Sequence, residues 1–424
     1  MPTPTYAIAV VGGATAGAEA AALFAAHGIL TVVFEQNARP YGKIEDGLPR
    51  WHAALRQKEY AAIDRKLSSE NVHFVPNTKI GRDVALEEIT RDWGFHAVVL
   101  ANGAWRDRLL PIEGAERYVG KGLVYQNAFI GWFNHRHEKG YTGERFQALP
   151  GTIVVGGGLA SIDVAKAIQL ELALEALRAR GIEEDLLELE TKGIPKTLEA
   201  HGLTWEDLGI EPAVIYYRRR LEDMPLVSMP DDANDDTRAK IEKSRLRALE
   251  KATSKFLFRV EPLRAPVGLV TEGDRLMGIE LAVTRMEGGK LVTTGERVVA
   301  RGPQVISSIG SIPEPIAGIA MKGELYAYTD WDLGRLEAFP TLFSAGNVVT
   351  GRGNIVDSRK HAKHVAEHVS EQYLAIAEAV KRLPPLSDEQ AATLLERVRE
   401  RQQQVGYDGD YARWIEAAKP PEFA

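Results

Sequence analysis

Residues 10–21 read VVGGATAGAEAA, and about 145 residues further on residues 154–165 read VVGGGLASIDVA. Each stretch is an apolar run, then closely spaced glycines, then small residues that continue as a helix. A strand delivers the pyrophosphate of a dinucleotide to a helix N-terminus in this way, because the first backbone N–H groups of the helix and its dipole favour an anion there. Two such turns in one chain imply two dinucleotide sites, or one site and one turn kept for packing.

Working outward from the first turn, the strand YAIAVV (6–11) enters it, and an alanine-rich helix over 18–27 leaves it and stops at Gly28. The strand LTVVFE follows and ends in Glu35. DRKLSSENVHFVPNT (64–78) reads as a helix end and a short strand, and FHAVVLANGA (95–104) as another buried strand running into a glycine. The second turn is entered by TIVV, with its helix from about residue 161 and its next strand at AVIYY, 213–217. A βαβ unit usually takes about 30 residues. Here a charged, leucine-rich segment, 170–212, intervenes, broken at Gly181, Gly193 and Pro195, and its periodicity predicts a small helical insertion. Residues 275–301 alternate as antiparallel hairpins around Gly288-Gly289. PTLFSAGNVV (340–349) is a last buried strand, 358–373 a helix, and the tail from residue 383 a linker, LPPLSDEQ, and one further helix.

The chain has 424 residues, 45% hydrophobic and 26% charged, which is ordinary for a folded protein with room for two or three domains. No apolar run is long enough to span a membrane, and the N-terminus passes into its first strand without a basic leader region, so a cytoplasmic location is expected. A net charge of -7 argues against a general nucleic-acid or membrane-surface partner. There is no cysteine at all. Disulfides, thiolate-bound zinc, cysteine-held iron–sulfur clusters and a CxxC redox pair are thereby excluded, and no metal site is expected. Electron chemistry in this chain requires a bound organic cofactor.

The two turns differ at their ends. In the first, Gly12, Ala14 and Gly17 occupy the three fingerprint positions, with Gly13 and Ala16 between them. Glu35 follows 23 residues after Gly12, where a carboxylate accepts hydrogen bonds from ribose hydroxyls. In the second, Gly156, Gly158 and Ser161 hold the fingerprint positions, Leu159 and Ala160 open the helix, and the following strand ends in Arg218, Arg219 and Arg220. A carboxylate there repels a 2′-phosphate, whereas arginines clamp it by charge-assisted bonds. The arginine run therefore selects NADP(H) over NAD(H), unless it is a solvated surface cluster. With NADPH at the second turn, FAD is expected at the first, since a flavin accepts a hydride from nicotinamide.

Several segments then point the same way. PYGKIEDGLPRWH (40–52), NAFIGWFNHRHE (127–138), SSIGSIPEPI from 307, SAGNVVTGRGNIVDSRKHA (344–362), YRRRLEDMP and NTKIGRDV (77–84) occur in order. The chain resembles the adrenodoxin reductase-like and glutamate synthase small subunit-like FAD- and NADPH-dependent flavoproteins over roughly residues 6–375. The resemblance implies an α/β fold of two Rossmann-like dinucleotide-binding domains, the NADP domain (126–324, with the insertion) inserted into a discontinuous FAD domain (1–125 and 325–383), followed by a helical tail (384–424). It also implies cofactor contacts at Gln36, Gly42, Lys43, Val84, Ala101, Asn102, Gly103, Gly346, Asn347, Gly353, Asn354 and Ile355 beside the residues of the two turns. His52 matches the family histidine near the flavin, placed to relay a proton. Asn347 stands where reductases carry Trp and many relatives Asp, and Lys43 and Glu45 replace an apolar residue and an arginine. The iron–sulfur module that often precedes the glutamate synthase type domain is absent.

The implied activity is transfer of hydride from NADPH to FAD and of electrons onward to a ferredoxin- or flavodoxin-like carrier or a partner subunit. Two other readings stay open. Phe129, Gly131 and His135 fit the start of a flavin monooxygenase signature that Lys139 then breaks. The insertion and tail, outside the resemblance, allow a flavin-bearing interaction subunit. His361, His364 and His368 fall at helical spacing, but with no carboxylate to complete a metal site. Lys240, Lys243, Arg247 and Lys251 share one helical face, either a dock for an acidic carrier or a solvated stripe. Glu222 and Asp223 are placed to gate a proton path.

Overall fold

The structure is a computed structural model that describes residues 6–230, 232–351, 353–376 and 383–419. The expected chain ends, 1–5 and 420–424, and part of the expected FAD domain, 377–382, lie outside the described residues. The chain divides into two units: Met1–Leu48, His52–Arg106 and Ser311–Ala424 form unit 1, and Pro49–Trp51 with Asp107–Gly310 form unit 2. No helix among the described residues is long and apolar enough to cross a membrane.

In chain order, unit 1 begins with β1 (Ala7–Val11), α1 (Thr15–Ala26), β2 (Leu30–Phe34), α2 (Ala53–Leu67), β3 (Val72–Val75) and β4 (Ala97–Leu100). Unit 2 contributes β5 (Leu123–Tyr125), α3 (Gln126–His135), β6 (Ile153–Gly156), α4 (Leu159–Arg178), the short helices α5 (Leu186–Lys192), α6 (Ile194–Ala200) and α7 (Trp205–Leu208), then β7 (Val214–Tyr217), α8 (Asp235–Phe256), β8 (Arg259–Pro262), β9 (Arg264–Glu272), β10 (Arg275–Glu287), β11 (Lys290–Arg301) and β12 (Val305–Ser308). The chain returns to unit 1 with β13 (Leu342–Ser344), α9 (Ile355–His368), α10 (Asp388–Gln404) and α11 (Tyr411–Ala418).

Each unit is built on a five-stranded sheet whose partners run parallel, ordered β13-β4-β1-β2-β3 in unit 1 and β5-β12-β6-β7-β8 in unit 2. The strands that enter the two glycine turns, β1 and β6, are central in their sheets. Strands buried on both faces need continuous apolar runs, and AIAVV in β1 and LTVVF in β2 are buried along their whole length. In unit 1, helices cover both faces: α1, α2 and α9 pack with Ile8, Val10, Val33 and Phe343 on one side, while Ala7, Ala9, Val32 and Leu342 face a second core on the other. Unit 2 adds an antiparallel three-stranded sheet, β9-β10-β11, turning at Gly288 and Gly289, both at positive φ.

Three expectations change. The helix after the first turn starts at Thr15 rather than residue 18, directly behind Ala14. The inserted segment does not begin at residue 170, because α4 continues to Arg178 and buries Leu170, Leu172, Ala173 and Leu177 in the same stripe as Ile168. The tail holds two helices rather than one, separated at Gly406, whose φ of +76° lies in the left-handed region that ends helices. Both pack into unit 1.

Candidate dinucleotide sites

At the first turn, Gly12 has φ +99° and its N–H donates to the Phe34 carbonyl at 2.7 Å, tying β1 to β2. A Cβ on Gly12 would stand 2.7 Å from the Ala101 carbonyl oxygen, and one on Gly17 only 1.8 Å from the Gly12 carbonyl oxygen. The helix α1 is thus seated directly on the turn. Ala14 is its N-cap and supplies no side-chain hydrogen bond. The helices at Leu186, Trp205, Asp235, Ile355, Asp388 and Tyr411 are instead capped by the side chains of Asp185, Thr204, Asn234, Asn354, Ser387 and Asp410. An uncapped first turn presents its N–H groups to a ligand.

Glu35 leaves β2 into the same place. Its two carboxylate oxygens accept from the backbone N–H of Gly13 at 2.8 Å and of Asn37 at 3.0 Å. The side chain is buried, and burial pushes its pKa up to about 7 against the opposing pull of those N–H donors. A cavity of about 240 Å³ opens beside it, lined by Gly12, Ala14, Glu35, Gln36, Gly42, Ala101 and Asn102 on one side and by Thr78, Lys79, Ile80, Gly81 and Arg82 on the other. Asn102 hydrogen-bonds Tyr326, while its Oδ1 is buried without a partner. Gly42 lies at φ +53°, where a Cβ would come within 2.9 Å of the Ala14 Cβ. An uncapped helix, a carboxylate, a glycine cradle and an orphan acceptor in one cavity fit the pyrophosphate and ribose of a dinucleotide such as FAD.

The other expected contacts of this site are placed as follows. Gly103 continues from Asn102 at φ +67°. Val84 is buried in the second core of unit 1, and its carbonyl accepts the Gly81 N–H at 2.8 Å, shaping the loop rather than lining the cavity. Lys43 Nζ donates to Ser311 Oγ at 2.8 Å. Gly346, at φ +77°, approaches α1 so closely that a Cβ would lie 2.8 Å from the Ala16 Cβ. Its N–H donates to His361 Nδ1 at 3.0 Å. Asn347 Oδ1 accepts from Ser358 Oγ at 3.3 Å, and its amide donates to the Gly353 carbonyl at 3.4 Å. Gly353 is at φ +109°. Asn354 is spent as the N-cap of α9, accepting the Asp357 N–H, so Ile355 opens the helix. His52 is half-buried at the N-terminus of α2 and does not line the cavity.

At the second turn, a Cβ on Gly156 would meet the Ser308 carbonyl oxygen at 2.4 Å, and Ser161 Oγ donates to the Gly158 carbonyl at 2.7 Å. Gly158 is the N-cap of α4, again without a side-chain cap, and nothing stands within 4 Å of where its Cβ would be. Leu159 is exposed and Ala160 half-exposed at this open helix start. The Tyr217 ring lies on Gly157, 2.1 Å from a Cβ built there, and its hydroxyl donates to the Asp223 carbonyl at 3.0 Å. The sequence reading missed Tyr217, whose signal was an aromatic residue directly before the arginines.

The three arginines are not equivalent. Arg220 is bonded to Asp223 at 2.9 and 3.0 Å and paired with Glu222 at 3.3 Å, so its charge is already compensated by those two acids. Arg218 and Arg219 make no side-chain hydrogen bond or ion pair among the described residues, and their carbonyls are held by Thr284 and Leu263. Two positive forks beside an uncapped helix fit a phosphorylated ribose such as that of NADPH.

Other expectations separate. His361 bonds the Gly346 N–H and the Asp332 carbonyl, His364 bonds the Asp332 carboxylate at 2.7 Å, and His368 packs on Phe343, so two of the three histidines meet at Asp332 and, among the described residues, the three form no group spaced to hold a metal ion. Phe129 and Ile130 are core residues of α3, and His135 bonds Glu138. Lys240, Lys243, Arg247 and Lys251 are all exposed on α8.

Among known proteins, residues 6–192 match the family described as pyridine nucleotide-disulphide oxidoreductase. Human mitochondrial NADPH:adrenodoxin oxidoreductase is 25% identical over 380 residues, spanning 83% of this chain and 75% of that protein. The glutamate synthase [NADPH] small chain of Mycobacterium tuberculosis is 35% identical over 134 residues, 31% of this chain and 25% of that one. The fold is that of Mycobacterium tuberculosis FprA, solved in complex with NADPH, at a TM-score of 0.70 and 19% identity over 94% of this chain and 91% of that one. With no cysteine in the chain, the disulphide chemistry in the family's description has no dithiol here.

Proposed function

From its membership of the pyridine nucleotide-disulphide oxidoreductase superfamily we propose that this chain is an NADPH-dependent FAD oxidoreductase that acts in the cytoplasm and passes electrons to a ferredoxin- or flavodoxin-like carrier or a partner subunit. The observation that carries the reading is the opposite electrostatics of two turns of the same design. Unit 1 closes its turn with a buried carboxylate, and unit 2 with two arginines that, among the described residues, are in no ion pair. Bound there, FAD would supply a hydride acceptor for NADPH that can pass electrons on singly or in pairs.

The chain's own residues supply the rest. The α1 N-terminus, Gly12 and Ala14 receive the FAD pyrophosphate, Glu35 accepts from its ribose, and Asn102 offers an acceptor to a donor edge. The α4 N-terminus receives the NADPH pyrophosphate, and Arg218 and Arg219 bind its 2′-phosphate. His52 relays the proton that accompanies electron transfer. The human relative is named for adrenodoxin, a protein partner, which supports a protein acceptor for this chain.

The test is anaerobic rapid mixing of the purified protein with NADPH or NADH, following flavin absorbance. Fast bleaching by NADPH and slow bleaching by NADH is the expected result. Bound flavin that neither nucleotide bleaches overturns the proposal.

A further inference from the structure

The two C-terminal helices occupy both faces of the unit 1 sheet around its edge strand. β3 is that edge, and the Gln402 amide donates to the Phe74 carbonyl at 2.8 Å, taking the place of the strand that is missing there. From α10, Leu394 and Val398 enter one core, while Tyr411 and Ile415 of α11, with Tyr407 just before it, enter the other. A tail docked this way is part of the fold.

Several polar contacts of the tail fall on two chain segments that line the Glu35 cavity or join residues lining it. On one side is the loop after β3, residues 77–83, which supplies Thr78, Lys79, Ile80, Gly81 and Arg82 to the cavity. The Arg401 guanidinium reaches this loop three times: Nε donates to Thr78 Oγ1 at 2.9 Å, a terminal nitrogen donates to the Asn77 carbonyl at 3.3 Å, and the same nitrogen lies 3.8 Å from the Asp83 carboxylate. Thr78 is buried and its N–H donates to the Glu35 carbonyl at 2.8 Å, so Arg401 is one residue removed from the carboxylate's own backbone. Asn77 sits at φ +50°, a left-handed conformation that the Arg401 bond to its carbonyl helps hold. On the other side is the segment between Gln36 and Gly42. The Trp414 indole donates to the Ala38 carbonyl at 2.8 Å, Arg39 donates to the Ala418 carbonyl at 2.8 Å, and the hydroxyls of Tyr411 and Tyr41 both donate to Asp64.

We infer that the C-terminal helices form a strap that sets the width of the Glu35 cavity, with Arg401 the positioning residue of its 78–82 wall and Trp414 that of the 37–41 segment, which joins the lining residues Gln36 and Gly42. The inference rests on the reading of this cavity as the FAD site. It assigns to a tail outside the two dinucleotide folds the holding of the cofactor. A planar guanidinium suits the task, since its fixed fork reaches a hydroxyl and a carbonyl from two separate nitrogens held in one plane, a geometry the single nitrogen of an ammonium does not reproduce.

The experiment measures the FAD dissociation constant of the full chain by the fluorescence gained on release, for wild type, Arg401→Ala, Arg401→Lys, Trp414→Phe and Arg413→Ala. Among the described residues, the Arg413 side chain pairs with Asp408 and Asp410 within the tail, and it is the control. FAD is expected to bind at least tenfold more weakly in Arg401→Ala, with partial recovery in Arg401→Lys, a smaller loss in Trp414→Phe and none in Arg413→Ala, while the KM for NADPH stays at the wild-type value. Unchanged FAD affinity in Arg401→Ala overturns the strap. So does an equal fall in melting temperature of the flavin-free and flavin-loaded Arg401→Ala protein, which marks a role in stability alone. A wild-type chain that binds no FAD overturns the cofactor reading instead, and is told apart by the first measurement.

Discussion

The two glycine turns each leave the central strand of a five-stranded parallel sheet, yet they spend their glycines differently. In unit 1, Gly12 and Gly17 are locked against backbone, and the middle position is already an alanine. In unit 2, Gly156 is locked, the third position carries Ser161, and the middle glycine, Gly158, faces open space. The charge that ends each second strand is also reversed: Glu35 is buried and tied to the turn itself through Gly13, whereas Arg218 is exposed, Arg219 half-buried, and neither is in an ion pair among the described residues. The first turn is a closed structural device whose ligand contacts are tied to its own stability. The second keeps its recognition groups separate from its packing. Mutations should therefore couple fold and binding in unit 1 and uncouple them in unit 2.

The largest effect tests that coupling. In Gly17→Val a Cβ has to enter where the Gly12 carbonyl oxygen stands 1.8 Å away, forcing α1 off the turn. A loss of roughly 4 kcal/mol or more of unfolding free energy, together with loss of bound flavin, is expected. Denaturant unfolding and flavin content of the purified variant check it together. A stable variant that merely lacks flavin would break the comparison, because fold and binding would then be separable in unit 1 as well.

The local parts of this architecture were legible in the chain, and the distant parts were not. Strands flanking a glycine turn announce themselves within a dozen residues, and so do Glu35 and the arginines, because a strand end fixes where its next side chain stands. The extent of α4 was misjudged because Glu171 and Glu175 made the segment read as a new surface element, although Leu170, Leu172, Ala173 and Leu177 continue the buried face. Arg401 was invisible as a site residue, since its partner Thr78 lies 323 positions away and nothing near Arg401 marks it. The cap that Asn354 provides for α9 was not legible, because its partner is the Asp357 N–H of the helix it opens. Arg220 matched its neighbours in sequence, and only Asp223, one turn further on, removes it from them.

The next effect belongs to unit 2 alone. Replacing Arg218 and Arg219 together by alanine removes the charge-assisted bonds to a 2′-phosphate, roughly 3–4 kcal/mol for the pair. The KM for NADPH should rise by roughly two to three orders of magnitude, the NADH reaction should be unchanged, and the melting temperature should stay within about a degree or two because neither side chain holds a partner among the described residues. Steady-state kinetics with both nucleotides and a thermal melt read all three. Loss of stability in this variant would mean that the second turn is as closed as the first.

A third effect lies in the pH dependence of unit 1. The buried Glu35 has its pKa raised from 4.5 to about 7, so between those values the folded state binds a proton that the unfolded chain has released. Its contribution to stability is fully present below about pH 4.5 and is lost as pH rises through about 7, which amounts to roughly 3 kcal/mol. In flavin-free protein the unfolding free energy of wild type should therefore fall relative to that of Glu35→Gln between pH 4.5 and 8. Denaturant titrations across that range give the difference curve. Parallel curves would show that the Gly13 and Asn37 donors, and not burial, set the state of this carboxylate.

The smallest effect sharpens the comparison most. Gly158→Ala gives the second turn the middle residue of the first, at a position whose backbone, φ -90° and ψ 178°, any residue adopts and where no atom stands within 4 Å of the new methyl. As an N-cap, alanine is slightly poorer than glycine, and the stability change should stay below about 1 kcal/mol. A phosphate approaching the α4 N-terminus meets the methyl directly, so the KM for NADPH should rise several-fold against an unchanged melt. Since packing makes no demand for glycine at this position, an unchanged KM would leave its presence without a ligand to explain it, and would assign nucleotide recognition in unit 2 to the arginines alone.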